Sequence, residues 1–416
     1  MKVSGEMMNL LNPYKGLPKC VYVIFIAQII NRFGDFVNPF LVLFLTREFG
    51  YSMSKIGSIV MLTSLLAIPG SLLGGKVADH FGRKVGYILF QGIAGFSLFL
   101  CAFYYKTQFM LLFIMVSAFF NGAVRPIIRA ILTDVLPDHQ RQAGFSLSYL
   151  GINIGVAIGP MVAGFLFNRF LMLLFLGDAI TSFIAILLVI FNIEESHPDK
   201  VKSNFEVAKE EAPVEGSIWH ALFMRPKLIL FLFFNIFFSA TYVQSHFSLP
   251  LMMDDVFGRL GPEYYGSMIS VNAVSVLVFT VALTQFSRHR APILNIALSG
   301  VAYMVGFGMI AFINHLFMFY LATVIWTLGE ILNAINFGVY VANQTPLNFR
   351  ARFNAVTTLS YAVGSTLGTA LMGIFIDHFG IRAVWGTTAG IALIGTLGIL
   401  LVADKEKKGR DLAKNS

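Results

Sequence analysis

The chain has 416 residues, of which 56% are hydrophobic and only 12% charged, against about 25% charged in soluble domains. Its formal net charge is +8. That balance excludes an ordinary soluble globule, whose core could not absorb so much apolar surface, and makes lipid the solvent for most of the chain.

Apolar stretches long enough to cross a bilayer core as helices recur from end to end. Twelve spans are predicted, at about 20–46, 54–78, 84–105, 108–135, 142–168, 171–193, 226–252, 264–287, 291–312, 316–344, 351–376 and 383–403. The N-terminus, Met-Lys-Val-Ser-Gly-Glu, shows no apolar run followed by a small-residue cleavage site, so the first span is expected to be retained. The 42 Phe residues suit lipid-facing surfaces. Residues 195–225 are polar, mix charges of both signs and read as a linker with one amphipathic turn. The predicted organisation is a six-helix bundle over 1–194, a cytoplasmic linker over 195–225 and a second six-helix bundle with a cytoplasmic tail over 226–416.

Lys and Arg in the loops set the orientation. With both termini cytoplasmic, 21 of the 30 fall on the cytoplasmic side, six outside and three within spans. The basic excess is therefore expected to retain loops beside anionic lipid, not to bind nucleic acid. Cys20 and Cys101 fall at opposite faces, so no disulfide is expected.

The hairpin over 121–164 has a second copy. Shifted by about 209 positions, Pro137 meets Pro346, Arg141 meets Arg350, Gly155 meets Gly364, Gly159 meets Gly368 and Gly164 meets Gly373. Matches in one register, with the same flanking spans, indicate two copies of one unit.

A charge at the bilayer centre is costly, so those that occur mark a pair or a wet cavity. Arg32 and Asp35 are three apart in span one and can pair. Arg125 and Arg129 are one turn apart in span four, and Asp178 lies in the outer third of span six. Glu330 is near the middle of span ten, with Asn333 and Asn336 on a neighbouring face, and span seven offers Asn235, Gln244 and His246. Asp35 and Glu330 are the expected protonation sites. Arg32, Arg125, Arg129, Gln244, His246 and Asn333 are the expected lining of a central cavity. A static Arg32–Asp35 pair and a hydrogen-bonded Glu330 are the plainer alternatives.

Gly75-x-x-x-Asp79-x-x-Gly82-Arg83-Lys84, between spans two and three, resembles the signature loop of the major facilitator superfamily. The resemblance implies an all-α membrane protein with twelve transmembrane helices in two six-helix pseudo-symmetric bundles. It also implies a gate latch in which Arg83 pairs with an acid at the cytoplasmic end of span four, where Asp134 stands. The equivalent at 287–292 keeps the basic charge but lacks the Gly–Asp pattern, as a degenerate copy. Gly155-x-x-x-Gly159-Pro160-x-x-Ala163-Gly164 is similar to the span-five motif of the drug:proton antiporters, with Ala163 in place of a glycine. Small residues four apart also let another helix approach closely, and Pro160 permits a bend.

What the resemblance implies is a carrier that rocks about a site between its halves, exporting small amphipathic compounds in exchange for protons. The runner-up is proton-coupled uptake, because Gln28-x-x-Asn31-Arg32-Phe33 and Tyr149-x-x-Ile152-Asn153-x-Gly155 resemble motifs of the proton-coupled peptide transporters, with amides in place of two glutamates. No HExxH, Gly-x-Ser-x-Gly or Walker loop occurs, and Cys and His are too scattered for a metal cluster, so neither an enzyme nor a cofactor is expected. The expected partners are a small-molecule substrate, protons and the lipid bilayer. The chain is expected to act as a monomer.

Overall fold

A computed structural model describes residues 14–195, 225–344 and 350–415. The linker, the first 13 residues, and Pro346 of the repeat lie outside the described residues, apart from Glu195 and Arg225 at the linker's two ends. The described residues form α-helices and short 3-10 turns, with no strand among them.

The first span is two helices, α1 (Lys19–Phe33) and α2 (Val37–Phe49). Then come α3 (Met53–Phe81), α4 (Arg83–Tyr104), α5 (Phe109–Val135), α6 (Asp138–Arg169) and α7 (Leu171–Asn192). The seventh span is again double, α8 (Pro226–Tyr242) and α9 (Gln244–Phe257), and α10 (Gly261–Ser287), α11 (Pro292–Gly308), α12 (Leu316–Gln344), α13 (Arg350–Phe379) and α14 (Ile381–Asn415) follow. Eleven stretches are long and apolar enough to cross a membrane. One of them, Pro226–Ser287, is 62 residues long and holds spans seven and eight together, so the count agrees with twelve crossings.

Two compact units result, one of Met1–Phe40 with Leu62–Ala208, the other of Leu41–Met61 with Lys209–Ser416. In the first, α4 packs on α5 and α7, and α1 packs on α6 and α7. Its core is made by Val21 and Ile24 of α1, Tyr87 and Phe90 of α4, and Ile127 and Ile131 of α5. In the second, α11 packs on α12 and α14, and α8 packs on α13 and α14. Many large apolar side chains point outward, such as Phe312 at 86% exposure and Phe191 at 79%, as lipid-facing helices require.

Glycines decide the helix contacts in each unit. A Cβ at Gly151, Gly155 or Gly159 of α6 would lie 2.8, 2.6 or 2.3 Å from the carbonyl oxygen of Phe25, Ile29 or Phe33 on α1. Both helices advance by four residues per step, so the two backbones touch along one seam. In the second unit a Cβ at Gly364 would lie 2.4 Å from the Ile236 carbonyl oxygen, and one at Gly368 2.9 Å from the Cα of Ala240. The α1–α6 and α8–α13 crossings are thus built alike, at positions that the 209-residue offset relates.

The expectation of unbroken helices over spans one and seven is corrected at Gly34–Phe36 and at Val243, which stand at the same offset. Asp35 follows a glycine there, and short polar residues favour turns over helix interiors. At Val243 the chain only tightens, its carbonyl accepting the amides of His246 and Phe247, each at 3.0 Å. Interruptions at equivalent places agree with two copies of one unit.

Candidate functional site

Glu330 is half-buried on α12. Its Oε1 accepts the Tyr242 hydroxyl at 2.9 Å, and its Oε2 accepts the Asn272 amide at 2.7 Å. Asn272 also donates to Thr327 Oγ1 at 2.9 Å. The carboxylate is thus held by two neutral donors, from the end of α8 and the middle of α10. Aromatic rings surround it: Tyr242 meets Trp326 edge-on at 6.1 Å and Tyr303 at 6.3 Å, and Trp326 stacks on Phe307 at 5.3 Å. His246 is exposed and meets the Tyr242 ring at 5.9 Å. Neither Tyr242 nor Asn272 was singled out by sequence reasoning. A polar Asn inside the apolar span eight was the available signal.

The other expected residues fall as follows. Asp35 lies in the break of span one and binds Arg32 at 2.8 Å. Arg125 and Arg129 are both exposed, on one face of α5. Gln244 is fully buried and donates to the carbonyls of Ala240 and Gly368, while accepting the Ser248 hydroxyl at 2.6 Å. Its polar atoms thus tie α9 to α8 and α13. Asn333 is half-buried, and the nearby Asn336 joins Asn295 at 2.9 Å. Gln28 and Asn31 of α1 line a small cavity in the first unit with Tyr87.

At the turn between α3 and α4, Gly75 has open space around it and Gly82 takes φ +104°, a conformation that only glycine enters without strain, letting α4 start with only Gly82 between it and α3. Arg83 is 9% exposed, pairs with Asp79 and donates from Nε to Asp134 at 3.1 Å. The Glu195 carboxylate accepts the amides of Lys84 and Val85 at 2.9 and 3.0 Å, capping α4, and Lys84 Nζ donates to the Ile190 carbonyl at 2.7 Å. Gly155, Gly159 and Pro160 lie on α6, with the two glycines at its seam with α1, and Gly164 is five residues beyond Gly159 on the same helix. Among the described residues no group of His, Cys, Asp and Glu is arranged to hold a metal, and Cys20 and Cys101 are free.

Comparison with known proteins agrees with this architecture. An uncharacterized MFS-type transporter of Bacillus subtilis, YqjV, is 24% identical, with 96% of this chain and 97% of the relative aligned. A Na(+), Li(+), K(+)/H(+) antiporter of Planococcus maritimus is 23% identical over 79% of this chain and 82% of its own. Among solved structures, a POT family transporter in complex with a thioalcohol-conjugated peptide superposes with TM-score 0.79 at 16% identity, covering 94% of this chain and 97% of that one. The nucleoside transporter NupG does so with TM-score 0.76 at 16% identity, covering 92% and 99%. The family model described as Major Facilitator Superfamily matches residues 24–369, most of the chain, and so the protein belongs to the major facilitator superfamily, a multi-pass membrane transporter of small-molecule substrates and not an enzyme.

Proposed function

We propose that the protein is a proton-coupled secondary transporter of the cell membrane, with both termini cytoplasmic, that exports small amphipathic molecules in exchange for protons and acts as a monomer. The observation that carries this reading is the setting of Glu330. A membrane carboxylate held by two neutral donors, Tyr242 and Asn272, can exchange a proton without first breaking an ion pair. The half-buried ring of Tyr242 beside it, backed by the buried Tyr303 and Trp326, suits a ligand with a flat apolar body. The antiporter relative and the span-five glycine motif favour exchange over symport. Asp35, paired with Arg32, is the second proton site of this reading.

Reconstituted into vesicles with an imposed pH gradient, the protein is expected to drive a fluorescent lipophilic dye against its gradient. Glu330→Gln is expected to keep downhill exchange and lose the response to the pH gradient. Proton-driven transport at the original level in Glu330→Gln would reject the reading. A second reading, proton-coupled uptake, is favoured by Gln28 and Asn31 lining one cavity with Tyr87. Uptake of a labelled dipeptide by whole cells, with no dye export, selects it.

A further inference from the structure

The break in span one is seated on α7. A Cβ at Gly34 would fall 1.7 Å from Thr181 Oγ1, and one at Gly177 would fall 2.6 Å from the Phe36 ring. Each glycine's bare backbone is thus covered by a side chain of the other segment, and Asp178 lies between Gly177 and Thr181 on α7. It is 7% exposed, and its Oδ2 accepts the amide of Val37, the first residue of α2, at 3.3 Å. A carboxylate at a helix N-terminus satisfies an amide that the helix leaves unbonded and meets the positive end of its dipole.

A second observation lies on the other side of the break. Arg32 gives Nη1 to Asp35 at 2.8 Å, but its Nε is buried and has no hydrogen-bond partner. A guanidinium with one buried, unused donor is poised to re-pair. The charged and titratable groups that act on Asp178 are Asp35 and Arg32 from the first span and Cys101 from α4. Tyr87, also of α4, faces Arg32. At the outer end of α6, Arg169 lies over the Phe165 ring.

We propose that Asp178 is the second acceptor of Arg32. When Asp35 takes up a proton, the guanidinium leaves it and turns to Asp178. Asp178 then loosens its hold on the Val37 amide, and the second half of the first span is free to tilt. The proton resides on Asp35 throughout, Arg32 keeps its charge, and Asp178 is a positioning residue that converts the state of Asp35 into a movement of α2. The inference rests on the proton coupling proposed above and adds where the first span reads it.

Hydrogen exchange of the amides at 34–40, corrected for the chemical rate, tests it in the purified full-length protein. In the wild type, protection of this segment is expected to fall about tenfold between about pH 8 and about pH 3, a change equivalent to one pKa unit of coupling. Asp35→Asn is expected to show the low-pH protection at every pH. Asp178→Asn is expected to lose the pH step while its other helices exchange as before. Asp178→Glu, which keeps the charge, is expected to retain the step. A wild-type segment with the same protection at both pH values would falsify the inference, as would a wild-type step in Asp178→Asn. If Asp178→Asn does not fold, the wild-type and Asp35→Asn measurements still decide. The parent reading fails separately, by wild-type transport that ignores the pH gradient.

Discussion

Glu330 shows how much of a membrane carboxylate's behaviour is set by its neighbours. Its two donors come from residues 88 and 58 positions away, Tyr242 and Asn272, and each occupies one oxygen. A hydrogen bond to a charged group contributes about 1.5–3 kcal/mol. Asn272→Leu is therefore expected to slow proton-driven transport about tenfold or more, the kinetic equivalent of about 1.4 kcal/mol. Initial rates in vesicles across a pH series measure it. Tyr242→Phe removes the other donor but keeps the ring against Trp326 and Tyr303, so a smaller loss of dye affinity than with Tyr242→Ala is expected. Equal affinities in the two variants, from dye titration, would remove the aromatic wall from the account.

Helix pairs form the next level, and here the seam between α1 and α6 carries the weight. At Gly159 even one added carbon would sit 2.3 Å from the Phe33 carbonyl oxygen, closer than any real contact, and backbone cannot rotate out of the way. Gly159→Ala is expected to destabilise the protein by about 1–3 kcal/mol, the usual cost of overpacking. Gly386→Ala on α14, which has nothing within 4 Å, is expected to be neutral or slightly stabilising. Thermal unfolding in detergent, followed by intrinsic fluorescence, separates the two. The same seam reaches the break in span one, because Gly159 presses on Phe33, the residue just before it.

For the whole molecule, the division into units does not follow the chain. Residues 41–61, the adjoining ends of α2 and α3 with their turn, belong to the second unit, although the chain on either side belongs to the first. Arg47 pairs with Asp254 and donates to the Gly258 carbonyl at 2.8 Å. Asp377 of α13 places one oxygen on the Met53 amide and the other on the Ser54 amide, each at 2.8 Å, capping α3. A Cβ at Gly373 would lie 2.3 Å from the Met53 carbonyl oxygen, so that glycine admits the helix start. Gly373-x-x-x-Asp377-His378-Phe379-Gly380 repeats Gly75-x-x-x-Asp79-His80-Phe81-Gly82 residue for residue at the named positions, and Gly380 shares the positive φ of Gly82. Loss of a helix cap costs about 1 kcal/mol. Asp377→Ala is thus expected to raise the labelling rate of Cys in Ser54→Cys by about fivefold. The measurement needs a background in which Cys20 and Cys101 are Ala, and an unchanged rate would show that the cap does not hold this segment.

Membrane placement, the span count, the repeat and the charged turn between α3 and α4 were all legible in the amino-acid order. Each is a local property: transfer of about 20 side chains into lipid, or a spacing of small and charged residues within a turn or two. Arg83 was matched to Asp134 because a known loop carried the pairing. The pairing of Arg32 with Asp35 was readable because three residues separate them on one face. What joins Glu330 to Asn272, Asp178 to Val37 and Asp377 to Met53 is of another kind. Those partners lie 58, 141 and 324 positions apart. Which of them meet depends on how each helix is rotated about its axis and how closely glycines let it approach its neighbour. Hydropathy cannot carry that information, since rotating an apolar helix in lipid changes its partners without changing its transfer energy. Only packing in three dimensions selects one rotation, and with it the groups that face each carboxylate.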